Sequence, residues 1–133
     1  MKEILILGAL PQNEERRKLY ESMTSVCNGY ADRVSSPIDT ANFQGSGRER
    51  YERAFQKVRN ADLIIGEQSE PSTGQGMEIR EAANLNKPVL VVARVGSKVS
   101  GLVKDCPVVR DILFYDSVRD LETGLSKFLE SFR

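Results

Sequence analysis

The sequence predicts an open, doubly wound α/β fold, and three observations carry that reading. Unbroken apolar runs rich in β-branched residues stand at Ile4-Leu5-Ile6-Leu7, Leu63-Ile64-Ile65 and Val89-Leu90-Val91-Val92, as suits parallel strands covered by helices on both faces. The segment between the second and third runs, Thr73 to Asn86, is long enough for the right-handed crossover that a parallel pair requires. Strand-like and helix-like stretches alternate five times along the 133 residues, the pattern of a single three-layer domain with a five-stranded parallel sheet.

The elements follow in order. Strand one, Glu3 to Leu7, ends at Gly8-Ala9-Leu10-Pro11-Gln12-Asn13, where glycine permits close backbone approach and Asn13 can cap the next helix. That helix, about Glu14 to Val26, carries Leu19, Tyr20, Met23 and Val26 at three- and four-residue spacing and so lies on the sheet. Asp32 to Ser35 is the candidate for strand two. Ser36 to Gly47 is polar, aperiodic and long for a connection, which leaves a lid and a surface loop as alternatives. Arg48 to Arg59 reads as a helix with Tyr51, Phe55 and Val58 on one stripe, and its arginines are either a solvated face or phosphate ligands. Arg94 to Gly101 is a Gly/Ser-rich loop, followed by a short helix near Leu102 to Lys104, a fifth strand at Ile112 to Tyr115, and a closing helix from Val118 to Phe132. The expected strand order is the flavodoxin-like 2-1-3-4-5.

Composition narrows the function. Lys plus Arg and Asp plus Glu both number 19, so there is no overall basic field for nucleic acid. There is no histidine, which removes the commonest metal ligand and every Ser-His or Cys-His nucleophile. Two cysteines, Cys27 and Cys106, are too few for a disulfide framework and fit a reducing, cytoplasmic setting. The first apolar run is too short for a signal peptide, and nothing in the sequence is expected to span a membrane.

Chemistry concentrates after the third strand, at the carboxyl end where ligands gather in such sheets. There the turn Glu67-Gln68-Ser69-Glu70-Pro71-Ser72-Thr73-Gly74-Gln75-Gly76 leads to Glu78. Glu78 is expected in the first turn of its helix, where exposed N–H groups and the helix dipole would hold its pKa low, and on the flank of the buried face. An ionised, partly desolvated carboxylate there suits a nucleophile or a stabiliser of a cationic carbon. A dipole-complementing helix-start glutamate is the plainer alternative. Gly74 and Gly76 leave the backbone bare beside it. Ser72 and Thr73 offer hydroxyls, or simply an N-cap.

These residues carry a family likeness. Ala61-Asp62-Leu63-Ile64-Ile65-Gly66-Glu67, then Pro71-Ser72-Thr73-Gly74-Gln75-Gly76-Met77-Glu78-Ile79, then Ala82 and Lys87-Pro88-Val89-Leu90 resemble the nucleoside 2-deoxyribosyltransferase superfamily, nearest its 2′-deoxynucleoside 5′-monophosphate N-glycosidases. The resemblance implies cleavage of an N-glycosidic bond by Glu78 attacking C1′ of deoxyribose, with no cofactor. It implies that Ser72, Gly74 and Gly76 surround the sugar and its 5′ substituent and that Gly8 lets the first loop approach the ligand. Ser100, with Ser97 as substitute, would reach the phosphate of a neighbouring subunit, so a homodimer or higher homo-oligomer is implied.

The chain departs from that family at several positions. Where the family usually has an aspartate that assists protonation of the leaving base, this chain has Ala54; Tyr51, one turn away, and Glu67 are the candidate substitutes. The hydrolases' first loop carries Ser and Arg where Ala9 and Pro11 stand here, and an aromatic where Leu5 stands, leaving Arg48 or Arg50 to take over the phosphate. A binding module of the same fold that has lost turnover is therefore the competing reading.

Overall fold

The structure, a computed structural model, describes residues 1–70 and 72–132. Eleven elements follow in the order β1 (Glu3–Leu7), α1 (Glu14–Cys27), β2 (Arg33–Ser35), α2 (Pro37–Asn42), α3 (Gly47–Asn60), β3 (Leu63–Glu67), α4 (Thr73–Asn84), β4 (Val89–Arg94), α5 (Gly101–Lys104), β5 (Val109–Tyr115) and α6 (Val118–Phe132). All strand pairs are parallel, in the order β2-β1-β3-β4-β5. This is the 2-1-3-4-5 arrangement expected from the sequence.

Strand periodicity divides the core in two, because successive side chains of a strand point to opposite faces. Ile4, Ile6, Leu63 and Ile65 face α1 and α6, packing with Leu19, Tyr20, Met23, Leu121, Leu125 and Leu129. Leu5, Leu7 and Ile64 face the other layer, where Val58 of α3, Ile79 and Ala82 of α4 and Val103 of α5 cover them. Every residue of β3 is buried, as its unbroken apolar run requires. Asp62, just ahead of β3, accepts hydrogen bonds from the backbone N–H groups of Lys2 (2.8 Å) and Glu3 (3.0 Å). Those bonds hold its carboxyl below the usual range and tie the start of β1 to β3.

The largest difference from expectation is in the segment 36–47. It holds the six-residue helix α2, which apolar periodicity could not reveal at that length, but a capping box did mark it. The Ser36 hydroxyl accepts from the Ile38 N–H (3.2 Å), the Asp39 carboxylate accepts from the Ser36 N–H (2.8 Å), and Pro37 stands in the first turn. A second capping box, Ser46 with Glu49, starts α3. Asn13 caps α1 as expected, accepting from the Arg16 N–H at 2.9 Å. α4 stops at Asn84, short of Asn86, whose φ of 55° is left-handed and ends the helical path. β5 begins at Val109, earlier than its apolar run, with a register irregularity opposite Val89 and Leu90. No helix among the described residues is long and apolar enough to cross a membrane.

Candidate functional site

The order of strands reverses where β1 meets β3, and a cleft of about 370 Å³ opens beside that point. Four segments enclose it. The carboxyl end of β1 and the following loop supply Leu7, Gly8 and Leu10; α2 and its N-cap supply Ser36, Pro37 and Thr40; α3 supplies Arg50, Tyr51, Ala54, Phe55 and Lys57; the N-cap and start of α4 supply Ser72, Gly74, Gln75, Met77 and Glu78. The expected loop is therefore a wall of the cleft, and its helix brings two hydroxyls to it.

Glu78 lines the cleft, half-buried on the flank of the face that Ile79 and Ala82 bury. Its position in the helix corrects the expectation. With Ser72 as N-cap and Thr73 the first helical residue, Glu78 stands in the second turn, and the first turn has no acidic residue. The helix-end field that would hold its pKa low falls off within one turn. Burial dominates instead and pushes the Glu78 carboxyl up from 4.5 to about 7, opposed in part by the nearby Lys57 ammonium. Among the described residues no ion pair within 4.0 Å and no hydrogen bond engages this carboxylate.

The α4 turn explains its glycines and polar residues unequally. A Cβ on Gly74 would stand 4.0 Å from Glu78 Oε1, so the bare backbone leaves that side of the carboxylate open. Gly76 has nothing within 4 Å of such a Cβ and does not line the cleft, so it has no visible part in enclosing a ligand. Ser72 serves both readings: its hydroxyl accepts from the Gln75 N–H at 3.2 Å, and the residue lines the cleft. Gln75 is buried, donating through Nε2 to the Glu67 carbonyl at 3.1 Å. Pro71 of the motif lies outside the described residues. Gly8 lines the cleft, yet a Cβ there would meet the Tyr20 hydroxyl at 2.3 Å. Glycine is required at that position by the protein's own packing, since Tyr20 must reach Ala9 to donate to its carbonyl at 2.6 Å.

The remaining expected residues divide. Tyr51 is brought to the cleft with Glu78; it is 58% exposed at the mouth, its ring 4.7 Å from that of Phe55. Ala54, where the resemblance implies an aspartate, lines the cleft too. Arg48 does not line it; it is exposed and pairs with Glu52 at 3.5 Å one turn on, whereas Arg50 is the arginine of the wall. Ser97 and Ser100 do not line the cleft of their own chain, and Ser100 stands exposed at the N-cap position of α5.

Glu67 is displaced most from its expected place. It shares the strand parity of Leu63 and Ile65, so its side chain goes to the α1/α6 face, away from α4. There, fully buried, it accepts from Arg16 Nη1 (3.3 Å), the Ser69 N–H (3.0 Å) and hydroxyl, and the Tyr115 hydroxyl. Burial and that bond push the Tyr115 phenol up. A carboxylate so engaged on the opposite side of the sheet has no path to a base in the cleft.

Sequence reasoning missed Lys57, Ser36, Thr40 and Met77. Lys57 was within reach of it: three residues beyond Ala54 on one helix, it must share that side.

No family model matches the chain. It is 29% identical over 126 residues to a protein of Syntrophotalea carbinolica provisionally named 2′-deoxynucleoside 5′-phosphate N-hydrolase 1, an alignment covering 90% of this chain and 88% of that protein. Among solved structures, the Clostridium botulinum CMP N-glycosidase BcmB matches with a TM-score of 0.75 at 16% identity, covering 96% of this chain and 99% of that one. A 2-deoxyribosyltransferase of Bacillus psychrosaccharolyticus matches with a TM-score of 0.68 at 18% identity, covering 92% and 95%. In sequence the chain is similar to a 2′-deoxynucleoside 5′-phosphate N-hydrolase, and in fold to an N-glycosidase and a 2-deoxyribosyltransferase.

Proposed function

From that similarity and the cleft together, we propose that this protein cleaves the N-glycosidic bond of 2′-deoxynucleosides or their 5′-monophosphates, with Glu78 as the nucleophile at C1′. The observation that carries the reading is the Glu78 carboxylate itself: half-buried, free of ion pairs among the described residues, and open on its Gly74 side to a 370 Å³ cleft. An oxygen of Glu78 forms a bond to C1′ as the C1′–N bond breaks and the base departs with the bonding pair. Water then displaces Glu78 and releases the sugar; in the transfer variant a second base does so.

The other residues take roles consistent with their positions. The Tyr51–Phe55 ring pair gives a flat base an apolar wall. Arg50 supplies the cation for a 5′-phosphate, while Ser72 and Gly74 flank the sugar. Ser100 would complete the phosphate site of a neighbouring copy, which makes the active form a homodimer or larger; light scattering that finds only monomer removes this part. A nucleotide substrate and two unpaired thiols fit a cytoplasmic protein.

The test is direct. Purified protein incubated with a panel of deoxynucleosides and deoxynucleoside 5′-monophosphates releases free base, and Glu78→Ala abolishes release without changing the circular dichroism spectrum. Wild type as inert as the variant across the panel overturns the reading. Ala54 in the cleft favours one competitor, a binding module without turnover. It would show ligand-dependent thermal stabilisation and no product, with one ligand at 100 times its dissociation constant adding about 2.7 kcal/mol.

A further inference from the structure

We propose that Lys57 is the proton donor to the departing base, an assignment that rests on the glycosidase reading above. A base leaving with its bonding electrons needs a proton, and the position where the family resemblance places a carboxyl for this purpose is Ala54. Lys57 stands three residues further along α3 and lines the same cleft, on the side of the helix that it shares with Ala54. It is half-buried, and among the described residues its ammonium makes no ion pair within 4.0 Å and no hydrogen bond. Its protons are therefore not committed to the protein.

The charges around it are few and opposed. Arg53 lies on its own helix, Asp39 reaches it from α2 and Glu78 from α4. Burial and then Arg53 lower the Lys57 pKa, and the two carboxylates raise it, with a net result below the ordinary lysine value. A lysine moved toward neutrality is a better acid than a solvated one. The competing donors are weaker on geometry or chemistry. Glu67 is on the other face of the sheet, Tyr51 is 58% exposed at the mouth, and the guanidinium of Arg50 does not give up its proton in proteins.

The step balances. As Glu78 bonds to C1′ and the C1′–N bond breaks, an N–H proton of Lys57 passes to the base nitrogen that receives the electron pair, leaving a neutral amine. When water attacks C1′ and expels Glu78, that amine takes the proton of the water. Ammonium and carboxylate are both restored.

Two variants and two substrates test this. Lys57→Arg keeps the charge beside Glu78 but cannot donate; Lys57→Met removes both. The substrates are the best deoxynucleotide for wild type and the 4-nitrophenyl glycoside of 2-deoxyribose 5-phosphate, whose phenolate leaves without a proton. The expected result is a loss of about 10²–10⁴-fold on the nucleotide in both variants, with Lys57→Arg releasing the first equivalent of nitrophenolate, the burst that precedes hydrolysis of the Glu78 ester, within a few-fold of the wild-type rate. Lys57→Arg turning over nucleotide at the wild-type rate, or slowing that nitrophenolate burst as much as it slows nucleotide cleavage, overturns the proposal while leaving Glu78 in place. Wild type inert on both substrates overturns the glycosidase reading and this one with it.

Discussion

The Glu78 carboxyl ionises near neutral pH because burial opposes its charge, and in its proposed role as nucleophile it must be ionised to act. The rate at low substrate concentration is therefore expected to rise through about pH 7, where the carboxyl loses its proton. Stability moves the other way. The unfolded chain releases this proton near 4.5 whereas the folded chain keeps it to about 7, so stability is full below pH 4.5 and is lost as pH rises through 7. The loss amounts to about 3 kcal/mol. Urea denaturation of wild type and Glu78→Gln at pH 5 and pH 8 checks this, the variant gaining on wild type at the higher pH; a pH-independent difference would mean that burial does not govern the carboxyl. Gly8 gives a second expectation. Gly8→Ala brings a Cβ to within 2.3 Å of the Tyr20 hydroxyl and costs about 2 kcal/mol as overpacking. Because the clash is with that hydroxyl, Gly8→Ala combined with Tyr20→Phe is expected to cost less than the two changes summed.

Among the elements, the bend between β3 and α4 is fixed from both faces of the sheet. Below the strand ends, Glu67 binds the Ser69 N–H and hydroxyl, and that hydroxyl accepts in turn from the Arg94 N–H of β4 at 2.7 Å. On the other face Gln75 packs over Gly66 and donates to the Glu67 carbonyl. Glu67→Gln leaves buried Arg16 with Glu70, at 3.6 Å, as its one acidic partner among the described residues, and is expected to cost about 3 kcal/mol in thermal or urea denaturation. A change below 1 kcal/mol would show the buried pair to be dispensable. This bend also shows what was legible beforehand. The apolar runs of β1, β3 and β4 announced themselves because they are covered on both sides, and Glu78 stood out through its glycine-bearing turn. The side chain of Glu67 could have been assigned to the opposite face from strand parity alone. α2 hid because six residues show no periodicity, although Ser36 and Asp39 carried its cap. β5 starts early because Val109-Arg110-Asp111 lies largely exposed at the sheet edge and so bears no apolar signature. The energetic environment of Glu78 depended on which turn of the helix it occupied, and that followed from Ser72 being the cap.

At the scale of the whole molecule, the two sides of the cleft are unequally anchored. α4 and α3 rest on the sheet through Ile79, Ala82 and Val58, whereas α2 fully buries only Pro37 and packs a part-buried Ile38 against the α1/α6 core. A six-residue helix has little cooperativity of its own, and such segments open at a fraction of the global unfolding free energy. Deuterium uptake is accordingly expected to be fast across residues 37–42 and slow in β1, β3 and β4; equal protection would show that α2 is as firmly fixed as the sheet. Ser36, Pro37 and Thr40 ride on this one segment, so its fraying would act as a turnstile. Substrate entry and sugar release would then be metered by the same brief openings, and turnover would slow in a viscous solvent even with Glu78 chemistry untouched.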